Sequence, residues 1–362
     1  RAYGDEKVVI HGGYDLDMSK FQPVSGEMKD LLPKEAQDKV VVADLSALGV
    51  DKVNEYSILG GNGGLNAPIL MLDGKAMHVA RYPNTRDNSQ WPIMYCSPGS
   101  AGYEGTNLGN GETDSARGFT VKYDDKTAER VANWTYGLKH IAAEGYWKFD
   151  WYASTLYVTV DKDKHYISAR EDKNTQYGVY KDKERVFCFK NVYQEMDEAG
   201  EYYIDFDSQK IYMYPYEGAN ASSSLKMNKT GETLIQMNNT SYVTISDMEL
   251  TSGVGKAIRM SNGKGNVIDN CYINGFMNNA IDMLNGYDNT VKNSHIEYCG
   301  TGAVTMSGGD KVTLTPGNNR VENCEINDFA LIKTIYSPGV SVDGVGNYVS
   351  HNELYNAEHY AV

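Results

Sequence analysis

Apolar and polar positions alternate through the last third of the chain in a pattern that recurs five times. The first copy is YVTISDMEL, residues 242–250; later copies end on Ile273, Ile296, Ile326 and Leu354. Counted from Leu250, these anchors stand 23, 23, 30 and 28 residues apart. A repeat of twenty-odd residues predicts a solenoid, whose turns bury their faces by stacking on one another. Five residues before the anchors stand Ile245, Ile268, Val291, Val321 and Val349, all β-branched. Two before them stand Met248, Cys271, Ser294, Cys324 and Asn352, which form a second inward column. Between these columns run Asp247, Asn270, Asn293, Asn323 and His351. Asn tolerates the left-handed backbone region and can bond its neighbours through its amide, so this column predicts a ladder at a bend. The flanking positions are polar and face outwards, among them Glu249, Tyr272, His295, Glu325 and Glu353.

A further strand follows each of the first three anchors: AIRM at 257–260, AIDM at 280–283 and AVTM at 303–306. Ile258, Ile281 and Val304 share an inward column, which the spacing continues at Val362. Short β-branched strands, Gly-Asn turns and the lack of leucine runs predict a parallel β-helix over 233–362 rather than a leucine-rich repeat. Residues 1–19 predict one further turn, carried by Val8, Val9 and Ile10.

Between 20 and 232 the texture changes to short alternating strands. Examples are Leu156–Val160, Arg185–Phe189 and the pair EYYIDF and KIYMYPY, which a turn at Asp207–Gln209 folds into a hairpin. A helix is expected near Pro33–Asp38. The fold class expected is all-β: a parallel β-helix interrupted by an inserted antiparallel β-sandwich or barrel.

Composition narrows the partners. The formal net charge of −14 argues against nucleic acid. The 28 tyrosines and four tryptophans suit stacking on neutral sugar rings. No window is apolar enough for a membrane span. Five cysteines without CxxC spacing argue against a disulfide framework and against zinc, and no metal site is expected.

Four stretches carry a resemblance. They are LDGKAMHVARYPN (72–84), EGYWKFDW (144–151), GEYYIDFDSQKIYMYP (200–215) and GVGNYVSHNELYNAEHYAV (344–362). Together they resemble bacterial right-handed parallel β-helix proteins with an inserted β-domain. That group includes α-L-fucosidases, β-xylosidases and many polysaccharide-utilisation proteins. The resemblance implies an oligo- or polysaccharide ligand and a secreted or periplasmic location. It also implies that the helix runs on beyond Val362, or is completed by a second chain, with chemistry in the later turns.

Glycoside hydrolysis needs two carboxyl groups about the scissile bond. Outward acids on stacked turns or in later loops supply three catalytic candidates: Asp282, Asp343 and Glu358. His359 matches a recurring position of the resembled family. With His351 and Asn352 it is a candidate for substrate contact. Trp147 and Trp151 lie in an aromatic cluster that offers a sugar platform, with packing between the insert and the helix as the competing role. No cofactor is expected of a hydrolase. A polysaccharide lyase on the same scaffold is the alternative and would call for Ca²⁺ or basic groups, of which the outward columns hold only Arg259 and Lys292. A non-catalytic glycan-binding protein is the third reading.

Overall fold

The structure is a computed structural model that describes the chain apart from residues 1–3, 5, 60–62, 86–87, 97–119, 171–176, 180–183 and 359. It divides into two compact units. One comprises Arg1–Leu16, Pro68–Ala76 and Ser223–Val362, the other Asp17–Ala67 and Met77–Ser222.

The first unit is a parallel β-helix with three strands per turn. Sheet I contains Thr244–Ser246, Val267–Asp269, Thr290–Lys292, Arg320–Glu322 and Tyr348–Ser350. Sheet II contains Val8–His11, Met248–Thr251, Tyr272–Phe276, His295–Cys299, Glu325–Asn327 and Glu353–Tyr355. Sheet III contains Ile235–Asn238, Ile258–Ser261, Ile281–Leu284, Val304–Gly308 and Val340–Gly344. Each copy of the sequence motif is therefore two short strands around a bend. The register stacks Ile245 on Ile268, Val291, Val321 and Val349. It stacks Leu250 on Ile273, Ile296, Ile326 and Leu354. These columns, with the Met260–Met283–Met306 stack of sheet III, form one continuous buried core.

At the bend between sheets I and II, Asp247, Asn270, Asn293, Asn323 and His351 all adopt positive φ, between 50° and 60°. A second, deeper ladder stands at the entry to sheet I. Asn266, Asn289 and Asn319 are buried there, and each donates from its backbone and side-chain nitrogens to the side-chain oxygen of the next, ending on Asn347. The predicted N-terminal turn is present: Val8–His11 pairs parallel with Met248–Thr251. One strand escapes the sequence reading and one expectation is corrected. From Val304 the column passes through Val340, whose strand follows a longer connection after Asn327 than in earlier turns, before it reaches the chain at Ala361, whose carbonyl accepts from the Val340 N–H at 3.0 Å. Near residue 35 the chain makes turns on Pro33 and Ala36, while the one-turn helix is Glu27–Asp30.

The second unit contains a closed six-stranded antiparallel barrel. Ala142–Gly145 pairs with Ser154–Asp161, which leads through Tyr166–Ala169, Thr120–Tyr123 and Ile93–Cys96 to Arg185–Lys190 and back to Ala142–Gly145. Its core holds Trp134, Trp147, Phe187, Phe189, Val158 and Ile167. Beside it the hairpin Glu201–Asp205 and Lys210–Met213 pairs on one side with Val41–Asp44 and on the other, in parallel, with His78 and Val79. The insert is thus not purely antiparallel.

Candidate functional site

Two of the acids singled out by sequence, Asp282 and Asp343, are held by separate partners. Asp282 lies in sheet III, largely covered rather than solvated. Its carboxylate accepts from the Asn279 amide at 2.6 Å and lies 3.5 Å from Lys256 and 3.9 Å from Arg259. Asp343 sits two strands away in the register and two residues further along its strand. With strands about 4.8 Å apart and a rise of about 3.3 Å per residue, their Cα atoms stand roughly 12 Å apart. Asp343 is exposed and bonded to Lys311, which holds its carboxyl below the usual range. Glu358 is half-buried in the segment after Glu353–Tyr355. His359 falls outside the described residues.

Three binding candidates have other placements. Asn352 accepts from the Cys324 backbone N–H at 2.8 Å and donates to the Val321 carbonyl at 2.9 Å, so both ends of its amide are taken by the preceding turn. His351 is exposed at the bend. Trp147 is corrected to a core residue: it is 1% exposed and its indole donates to the Ser154 carbonyl at 2.8 Å, which leaves no ring face for a sugar. Trp151 is 45% exposed and stacks on Phe149, with ring centres 5.0 Å apart.

Convergence occurs instead on the outward face of sheet II. Two columns flank the buried anchors. One is Glu249, Tyr272, His295, Glu325 and Glu353; the other is Thr251, Asn274, Glu297, Asn327 and Tyr355. Because a strand's side chains alternate, residues on either side of an inward anchor share the opposite face. Glu297 is only 7% exposed. It accepts from the Tyr272 hydroxyl on one oxygen and from the Asn327 amide, at 3.3 Å, on the other. The same Asn327 nitrogen donates to Asp328 at 2.9 Å. Two bonds of 3.3 and 2.9 Å to one nitrogen hold those carboxylate oxygens no more than about 6.2 Å apart. Asn327 must then present its oxygen to His295 Nε2, 2.8 Å away, so this imidazole nitrogen carries the proton. Burial and the neighbouring Glu297 push the Tyr272 phenol far up, so it remains a donor at any physiological pH.

One turn earlier in the same column, Asn274 is 1% exposed and accepts from Thr251 at 2.6 Å. Its amide nitrogen has no partner among the described residues. An orphaned buried donor costs about 1–3 kcal/mol, and such groups gather where a ligand completes the bonding. Asp328 itself lies at φ 47°, at the bend that ends its sheet II strand. The signal for this face was in the sequence: the residue after every anchor is polar, and three of the five are Asn or Glu. Among the described residues no group of three or more His, Cys, Asp or Glu side chains is placed to hold a metal ion. Among them, too, no helix is long and apolar enough to cross a membrane.

Residues 233–362 match the family model of the right-handed β-helix region. No curated protein matches the sequence. A solved structure described as a glycoside hydrolase is similar over 98% of this chain and 76% of its own, with 14% identity and a TM-score of 0.55. The complex structure of XylC with xylose is aligned over 98% of this chain and 48% of its own, with 12% identity and a TM-score of 0.43. At 14% identity the likeness to the first speaks for the fold alone. The chain is a right-handed parallel β-helix protein interrupted by a β-barrel-containing insert.

Proposed function

We propose that the protein hydrolyses glycosidic bonds of a neutral glycan bound along the outward face of sheet II, with Glu297 and Asp328 as the carboxylate pair. The observation that carries this reading is the Asn327 amide bonded to both carboxylates. A gap of at most about 6.2 Å lies below the roughly 6.5–9.5 Å of inverting sites and next to the ~5 Å of retaining ones. A double displacement follows. Glu297, held rigid by Tyr272 and Asn327, attacks the anomeric carbon while Asp328 protonates the departing oxygen. Asp328 then takes a proton from the water that releases the glycosyl-enzyme ester.

The charge of this face favours a hydrolase over a lyase. The acids Glu249, Glu297, Glu325, Asp328 and Glu353 outnumber its cations, and Lys7 is already paired with Glu249 at 2.8 Å. A uronate would meet repulsion rather than neutralisation. The likeness to a glycoside hydrolase fold supports the same direction.

The test is release of reducing ends from a panel of neutral oligosaccharides by wild type, Glu297→Gln and Asp328→Asn. Either variant should lose about 10²–10⁴-fold in kcat while still binding, and NMR of the first product should show the retained anomer. Unchanged turnover in both variants overturns the assignment. Ultraviolet absorbance from an unsaturated product would establish the lyase, and binding without turnover by wild type the non-catalytic protein.

A further inference from the structure

A second feature of the β-helix lies on sheet III and its following turns, apart from the columns of sheet II. The ends of Val304–Gly308 and Val340–Gly344 run side by side, with Ser307 opposite Asp343 and Gly308 opposite Gly344. A Cβ on Gly344 would fall 1.9 Å from the Gly308 carbonyl oxygen, and one on Gly309 2.6 Å from that of Val345. Both glycines also have positive φ, 101° and 85°. No other residue fits, and the floor here is bare backbone. Above it opens a cleft of about 490 Å³, lined also by Asn285, Tyr287, Asp310, Lys311 and Asp343.

The lining points to one ligand class. Tyr287 is 39% exposed, and its backbone N–H is fixed on the Gly263 carbonyl at 3.0 Å, so an aromatic face is presented on a rigid turn. Lys311 and Asp343 form an ion pair at the rim and offer both strong donors and strong acceptors without net charge. Asp310 adds a second carboxylate, kept ionised by the Val312 and Thr313 backbone N–H groups that donate to it at 2.7 and 3.2 Å. A polar cleft with one aromatic face, one excess carboxylate that disfavours an anionic ligand, and a volume in the range of small-molecule sites suits a neutral sugar.

We infer that this cleft is a second, non-catalytic carbohydrate subsite, which tethers a neutral glycan to the helix away from sheet II. This inference rests on the glycan reading of the protein but not on Glu297 or Asp328.

The experiment uses the full chain carrying Glu297→Gln, so that ligand is not consumed. Cello-, xylo-, manno- and galacto-oligosaccharides of two to six units are titrated while amide shifts are followed by NMR. One series should move the Gly308, Gly309 and Gly344 amides saturably. Tyr287→Ala should weaken that response roughly two- to tenfold, and Lys311→Ala should weaken it without loss of fold as judged by circular dichroism. Shifts confined to sheet II overturn the second subsite and leave the first intact. An equal response in Tyr287→Ala also overturns it, as does a response to Ca²⁺ but to no sugar.

Discussion

Replacing Asn289 by Ala tests the buried ladder directly. Asn289 accepts from the backbone and amide nitrogens of Asn266, both at 3.0 Å, and donates to the Gly263 carbonyl at 3.2 Å and to Asn319 at 3.1 Å. Three of these partners keep another bond after truncation. The Asn266 amide still reaches the Thr240 carbonyl at 2.7 Å. Gly263 still accepts from Tyr287, and Asn319 still accepts from the residue 289 backbone at 3.1 Å. The Asn266 backbone N–H alone is orphaned, inside the core. That omission costs about 1–3 kcal/mol, and the lost net bonding adds about 1 more, so a destabilisation of about 2–4 kcal/mol is expected. The control is Asn293→Gly in the outer ladder. Asn293 bonds Asp269 and Asn323, both at 2.7 Å, but these groups face water and glycine keeps the positive φ. Its loss should stay below about 1 kcal/mol. Urea unfolding gives both numbers, and amide hydrogen exchange should show protection of Asn266 falling in the first variant only. If Asn289→Ala costs less than about 0.5 kcal/mol, or no more than Asn293→Gly, the buried ladder is not what holds the turns in register.

Two further outcomes follow from the second unit. Glu201 is fully buried, which raises its pKa well above the ordinary value despite N–H donors from Asp197, Glu198 and Arg81. A raised carboxyl pKa gives stability that is complete below the unfolded value of about 4.3 and is lost as pH rises through the folded value. Urea midpoints of wild type should therefore fall from about pH 4.5 upwards, and Glu201→Gln should flatten that slope; an unchanged slope would contradict the burial argument. Trp147→Ala should cost about 3–5 kcal/mol in the same assay, against about 0.5–1.5 for Trp151→Ala, since only the first empties the barrel core. Equal costs would place Trp147 wrongly.

The sequence alone determined the β-helix. Its inward columns are set by a period that every turn must obey, because each residue packs on its own equivalent, so Ile245 names Ile268 and Leu250 names Ile273. The Asn column at the bend was legible for the same reason: five residues in one left-handed position leave a chemical signature. Where the period lapses, legibility ends. The lengthened connection from Ile326 to Val340 concealed the strand Val340–Gly344, and the insert, which has no repeat, gave strands without a topology. Whether they close into a barrel depends on the pairing of Ala142–Gly145 with two partners at once, a non-local choice that no local pattern encodes. The candidate site shows the same division. Tyr272, His295 and Glu325 were readable as outward, and the polar residue after each anchor was there to be read. Outward direction does not say which acids meet, however. Asp282 and Asp343 share a sheet and stand apart, whereas Glu297 and Asp328 come from neighbouring turns and meet on one Asn327 nitrogen. A distance of a few ångströms across a turn depends on register and side-chain rotamer together, and the folded chain fixes both only when its turns are stacked.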